Sequence, residues 1–494
     1  MSQDDWPTGK QPKVTDADDE DVVVGDATSE DRPKARRGAA DGDGAALAEA
    51  STPKASRRAE GPTGSPRQAP SGAVNWLLRG AEVALVLVVL AGTVFLAGHI
   101  SGAAPAPPPR LNITANLFCQ SVDGVAGSIS AAADSDLKWQ PDGGAAVPGS
   151  TYFQHPVTTE STLQGTGSVA GLVQFGSGGQ IAAAGCATPA ASGYLQAGYA
   201  NATLVMQNVD SQDAILNVSM LGSAGEVDPP DLIDLKIPAG SIKQINVGDY
   251  ASGVSPVAVR WQSTVGRVLA WLVYSDSSNF DMVTPTAAAT QIVVPGIPGG
   301  ATVHVLITNP ATVRVQAHVD ALTAQGRVPL SSAAQVTIEA GSTASVDVTS
   351  ALSTDPTALV VTGDQPVAAS AIVSHASDSA TSPGVSADQS SGVDAFGVTS
   401  GHSQVLISNV SSADTTATVT LGTASAQTVP LAAGVTTAID APQPGAVRVS
   451  GDGVVAALVI RGGDDDSSGM SVVALAPDTA RAGLTPAWIE AQPH

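Results

Sequence analysis

Three groups of residues in this chain carry atoms suited to chemistry. In Asp464-Asp465-Asp466-Ser467-Ser468-Gly469, the side-chain oxygens of Asp464, Asp466 and Ser468 stand at alternate positions with a glycine after them, the opening of a calcium-binding loop. Leu475 occupies the twelfth position, where such a loop carries its closing acid. A weak calcium site is therefore set against a solvated hairpin loop, and calcium is the one cofactor the sequence suggests. The second group is Asp134, Asp136 and Asp142. Glycan hydrolysis uses two carboxyls about 5 to 9 Å apart, one as acid and one as base or nucleophile, and nothing in the sequence brings these three to that spacing. The third is Cys119 and Cys186, the only cysteines. In an oxidising compartment they can pair, closing a loop of about 67 residues and adding roughly 4 kcal/mol in the loop-entropy picture. Two free thiols are the alternative, and metal binding is disfavoured because no histidine recurs beside them.

The remaining signals for catalysis are missing. The chain holds no HExxH, no GxSxG elbow, no phosphate-binding loop, no dinucleotide fingerprint and no CxxC. Its seven histidines are scattered, none at ligand spacing with another. The expectation is a protein that is not an enzyme, with a glycan-acting enzyme as the alternative.

The elements that would position these groups are set by one stretch, Val83 to Ile100. It is free of formal charge and rich in Val and Leu. As a helix it reaches roughly 27 Å, and with a few flanking residues it covers the roughly 30 Å of bilayer hydrocarbon. Arg57, Arg58, Arg67 and Arg79 precede it, whereas the first positive charge after it is Arg110. Excess Lys and Arg stay cytoplasmic, so the sequence predicts a single-pass anchor with residues 1–73 inside and the bulk of the chain extracellular. A leader of some 75 residues is too long for the charged start of a signal peptide, which favours a retained helix over a cleaved one.

On this reading residues 1–73 form a disordered cytoplasmic tail of acids, Pro, Gly and Ser that cannot bury enough apolar surface to fold. Residues 74–102 form the transmembrane helix and 103–110 a Pro-rich spacer. The whole chain carries a net charge of −23, which excludes nucleic acid as a partner for its bulk. Hydrophobic content of 43% suffices for cores, yet aromatics are only 3%, so Val, Ala, Leu and Ile must fill them. Abundant Val, Thr, Ser and Gly argue for strands joined by tight turns.

The outer part repeats itself. VMQNV from Val205 is matched by LITNP from Leu306 and LISNV from Leu406, about 100 residues apart. Each is followed by an alternating strand, then by an apolar strand ending in a turn: IPAGS from Ile237, IEAGS from Ile338 and LAAG from Leu431. Near the end of each unit stands an almost continuous apolar run: RVLAWLV from Arg267, PVAASAI from Pro366 and VVAALVI from Val454. Three copies of one unit follow, each with six or seven short strands, the pattern of an immunoglobulin-like β-sandwich. The predicted fold is mainly β: an N-terminal β module with the disulfide at 111–192, and repeats at 193–292, 293–394 and 395–494. The Asn closing the first motif of each copy is expected to hold a turn with its side chain, in a left-handed backbone conformation.

With this opening motif, the AGS turn and the PVAAS-type strand, the chain resembles an actinobacterial family of unknown function, membrane-anchored or large secreted envelope proteins with Ig-like repeats. The resemblance spans about residues 111–494, departing from its Asn-Pro at Val209 and Val410. It implies no catalytic residues. The functional expectation is a non-catalytic cell-envelope protein that scaffolds, adheres, or binds an envelope polysaccharide or membrane protein. A transmembrane sensor signalling through the tail shares the same architecture.

Overall fold

The computed structural model describes residues 114–478, apart from 178, 199–200, 252–253, 276–278, 376–377, 391–393 and 463–468. The tail, the Val83 to Ile100 span, the spacer and the Asp464, Asp466 and Ser468 loop lie outside the described residues. Among these, every long element is a strand, joined by turns and single 3-10 turns. No helix among them is long and apolar enough to cross a membrane.

The three copies share one topology. In the first, one sheet is built from Ser192–Ala197, Val257–Val265, Ala214–Gly222 and the short strands Gly225–Val227 and Leu235–Ile237. The other runs Ile242–Asn246, Thr203–Gln207, Leu269–Ser275, Phe280–Val283. The second copy has the same order with Ala289–Ile297, Thr302–Asn309, Val315–Thr323, Ser342–Asp347 and Asp378–Pro383, and one long strand, Thr357–His375, serves both sheets. The third repeats it with Ala395–Thr399, Ser403–Asn409, Thr415–Leu421, Gln427–Leu431, Thr436–Ala441, Gly445–Ser450, Val454–Arg461 and Met470–Ala474.

These are β-sandwiches with an exchange at their edges. Ser192–Ala197 pairs with Val257–Val265 and Thr203–Gln207 with Leu269–Ser275; Ala289–Ile297 and Thr302–Asn309 both pair with Thr357–His375; Ala395–Thr399 pairs with Gly445–Ser450 and Ser403–Asn409 with Val454–Arg461. In the immunoglobulin order the first strand lies beside the second and the seventh beside the sixth. The segments near Tyr194, Val293 and Phe396 are opening strands of copies; the second copy therefore begins by Ala289, ahead of the expected boundary at 293.

Ahead of the copies, Thr114–Cys119, Gly127–Pro141, Val147–Pro148, Tyr152–Val157, Ser161–Ser177 and Gln180–Gly185 form one six-stranded sheet. Its two long strands bend: Gly127–Pro141 shifts register twice between Ala133 and Lys138 against Ser161–Ser177, so each strand contributes to two half-sheets. The halves are tied by the Cys119–Cys186 disulfide and by paired backbone hydrogen bonds between Phe118 and Ala187, 2.8 and 2.9 Å. Gly171 makes room for this tie, since a Cβ there would lie 2.5 Å from Cys186 Sγ.

The cores run across module boundaries. Leu406, Ala457, Val459, Met470 and Val472 of the third copy complete the core of the second. Ala132, Ala170, Leu172, Ile181 and Ala183 of the N-terminal sheet join the core of the third. Val205, Leu269, Trp271, Phe280 and Met282 of the first copy enter the core of the N-terminal sheet. The first and second copies meet through Gln196, whose Nε2 donates to Thr308 Oγ1 (2.8 Å) and Ala368 O (3.1 Å), and through Thr343 Oγ1, which donates to Leu221 O (2.8 Å). The four modules thus close on one another instead of standing in a row. Sheets covered on both faces read as continuous apolar runs, and Val454 to Ile460 is buried at all seven positions.

Each repeat is stitched internally by its asparagine, fully buried in all three copies. Asn309 Nδ2 donates to Val313 O (2.7 Å), Ile338 O (3.1 Å) and Glu339 O (3.0 Å), and its Oδ1 accepts from Ala311 N (2.9 Å). Asn409 makes the same bracket, and Asn208 makes it with two carbonyls, Gln212 O and Ile237 O, in place of three. The side chain holds the turn as expected, but none of the three has a positive φ. The left-handed residues are instead Gly240, Gly341 and Gly434 of the AGS-type turns, at φ 64°, 60° and 70°, where a Cβ is costly.

Asn309→Ala leaves buried carbonyls without a donor, which costs about 1 to 3 kcal/mol. The expected result is a lower denaturant midpoint, read by intrinsic fluorescence, against little change for the exposed Val313→Thr.

Candidate functional site

The last long strand of each copy and the last strand of the N-terminal sheet converge. Phe280–Val283 touches Asp378–Pro383 and Gln180–Gly185, and Met470–Ala474 touches both of the latter. Three side chains stitch this junction. Asp281 Oδ2 accepts from Thr381 N at 2.8 Å, carrying the first copy to the second. Asp378 Oδ2 accepts from Met470 N (2.9 Å) and Ile181 N (3.3 Å), carrying the second to the third and to the N-terminal sheet. Ser471 Oγ accepts from Ala183 N at 2.9 Å. Edge strands present free N–H groups, and these oxygens satisfy them where no further strand fits.

Burial pushes the Asp281 carboxyl up to about 7, with the nearby Asp378 charge acting the same way and the hydrogen bonds from Thr381 and Met282 opposing it. Burial also raises Asp378, against three backbone N–H groups. Two carboxyls with raised affinity for protons stand close together, yet both have their oxygens turned to backbone amides. No group of three or more metal-ligating side chains occurs among the described residues.

The sequence-derived acids are dispersed. Asp134 sits at the bend of its strand, where it accepts from Ser168 N (2.9 Å) and pairs with Arg448 of the third copy (3.1 Å). Arg448 also pairs with the buried Asp478 (2.6 Å), which accepts from Ser168 Oγ (2.8 Å), and lies 4.5 Å over the Phe396 ring. Asp134 is thus part of a structural network between modules. Asp136 is exposed, in a left-handed conformation (φ 52°) at the second register shift. Asp142 alone faces a cleft.

That cleft, of about 240 Å³, lies between the N-terminal sheet and the first copy. Phe118, Gln140, Asp142, Glu160 and Ser161 line one side, and Gln207, Asn208, Gly240 and Ile242 the other. Asp142 N donates to Glu160 O at 2.8 Å, which brings two acidic residues together at its rim. Glu160 Oε1 accepts from Ser121 Oγ at 2.5 Å. Sequence reading missed Glu160, Gln207, Asp281 and Asp378. Only Asp281 left a sign, a single acid inside the otherwise apolar strand Phe280–Val283.

The architecture defines a class: a closed set of β modules, three of them copies of one sandwich, whose buried acids Asp281, Asp378 and Asp478 serve the joints between modules. A family of unknown function, DUF5719, matches residues 145–442, and the chain belongs to that family. No curated protein and no solved structure matches the chain. The matched span begins inside the N-terminal sheet and ends just before Gly445–Ser450 of the third copy.

The proton affinity of Asp281 has a signed consequence. Between the unfolded carboxylate value of about 4 and about 7, the folded protein holds a proton that the unfolded chain releases. Its contribution to stability is full below that window and is lost as pH rises through it. Thermal midpoints of the wild type and Asp281→Asn, measured from pH 4.5 to 8, should diverge upward in pH, with the variant losing less.

Arg448→Ala removes the ion-pair partner of Asp478, whose side chain has no exposure. Removing one partner of such a pair costs about 3 to 5 kcal/mol, read as a fall in the unfolding midpoint. The surface ion pair Lys236–Asp213 is screened by solvent, and its removal should shift the midpoint far less in the same assay.

Proposed function

We propose that this chain is a non-catalytic protein of the cell envelope, held in the membrane by the Val83 to Ile100 helix with its N-terminal tail cytoplasmic and its β modules outside. Its work is to scaffold the envelope or to bind an envelope polysaccharide or protein partner. The observation that carries the reading is how the acids are used. Asp281, Asp378, Asp134 and Asp478 accept from backbone amides or pair with Arg448 across module joints, which suits a rigid display surface. The Cys119–Cys186 disulfide fits an oxidising compartment, in keeping with the orientation drawn from the arginines before the span. The net charge of −23 argues against nucleic acid as a partner. The weak calcium loop at Asp464, Asp466 and Ser468 is not needed by this reading.

Topology is tested on intact cells expressing the full chain with an N-terminal epitope tag. Added protease should remove the β modules and leave a membrane-bound, tagged fragment of the first hundred or so residues. Recovery of the β modules in the cytosol, protected from protease, would sink the proposal.

A further inference from the structure

The cleft between the N-terminal sheet and the first copy differs from the matching places in the other two copies. In the second copy the position equivalent to Gln207 is Thr308, paired in the ladder with Thr343; in the third it is Ser408, paired with Thr436. Those hydroxyls bond one another, at 3.0 Å and 2.9 Å. In the first copy the pair is Gln207 and Ile242. Ile242 is 40% exposed, and the buried Gln207 Oε1 has no protein partner. Across the cleft, Ser161 is only 5% exposed and its Oγ is also without a partner.

The turn beside this pair departs too. In the second copy Gly341 is covered by Glu226 from the preceding hairpin, and in the third Gly434 is covered by Arg327. Gly240 of the first copy has nothing within 4 Å of where its Cβ would stand, and it lines the cleft. The joint that the repeats fill with one another is thus left open where the first copy meets the N-terminal sheet.

We propose that this cleft is a binding site for an uncharged, hydroxyl-rich polysaccharide segment; the proposal rests on the envelope-binding reading above and names its ligand. The cleft is rich in acceptors: the Asp142 and Glu160 carboxylates of its lining and, buried in two of the lining residues, the unpartnered Gln207 Oε1 and Ser161 Oγ. Sugar hydroxyls are donors that match them, and desolvating an unmatched acceptor is costly. Phe118, Pro141, Val209 and Ile242 offer apolar surface to the C–H face of a sugar ring. No Lys, Arg or His lines the cleft, so phosphate-bearing or uronic polymers meet two carboxylates and no counter-charge.

The experiment uses the full-length protein in lipid nanodiscs. Neutral and anionic polysaccharide fractions, separated by anion exchange from the envelope of the producing cells, are immobilised, and binding is read by biolayer interferometry beside a tetralysine probe. A double variant, Gln207→Thr with Ile242→Thr, gives the first copy the hydroxyl pair of the other two and should keep the thermal midpoint. The wild type should bind the neutral fraction, and the variant about tenfold more weakly, the loss of one or two hydrogen bonds. Equal binding by wild type and variant overturns the cleft assignment and leaves envelope binding standing. Binding confined to the anionic fraction or to tetralysine overturns the ligand class. Absence of binding to every fraction overturns the cleft proposal together with the polysaccharide arm of the envelope reading.

Discussion

A sheet with two apolar faces must be covered twice, and the arrangement of this protein follows from that requirement. The strand that pairs with the asparagine-bearing one is apolar over most of its length in the first and third copies: Leu269 to Leu272 and Val454 to Ile460 are buried without a break. One face is covered within the sandwich. The other is covered by the neighbour, so Ala457 and Val459 enter the core of the second copy while Val205 and Trp271 enter that of the N-terminal sheet. Exposing Leu172 and Ile181 at the joint to the third copy would alone cost roughly 3 to 6 kcal/mol, a large share of the 5 to 15 kcal/mol by which a domain is stable. The modules are held as one body by the same effect that folds each of them.

Small side chains make that body possible. With aromatics at 3%, the joints are filled by Ala and Val, and the strands approach closely. The bulky exceptions cluster where the N-terminal sheet receives the first copy: Phe175, Trp271 and Phe280 are all fully buried there. Close approach leaves edge amides facing another module with no room for water, and Asp281, Asp378 and Ser471 supply the acceptors. Acids in such places carry a raised proton affinity as a by-product of burial, so a perturbed carboxyl in this protein marks a joint.

At the position of Gln207 the three copies diverge with their neighbours. Thr308 and Ser408 find hydroxyl partners because another copy, or their own sheet, provides one. Gln207 faces the N-terminal sheet, which is not a copy, and its carbonyl is left free beside a cleft. Functional specialisation in a repeat array can thus arise at the end that meets a different module, where packing no longer dictates the side chain.

The sequence by itself determined the β class, the threefold repetition and the structural use of Asn208, Asn309 and Asn409, and it offered Cys119 and Cys186 as a pair that the structure then bonds. Each is written locally, in residue alternation, in a motif spaced about 100 residues apart, or in a count of two cysteines. Only the tertiary structure decided which strands exchange sheets, that Asp134 meets Arg448 while Asp142 meets Glu160, and that the modules close on one another. Those outcomes depend on contacts between residues up to 314 positions apart, and an apolar run looks the same in sequence whichever surface comes to cover it.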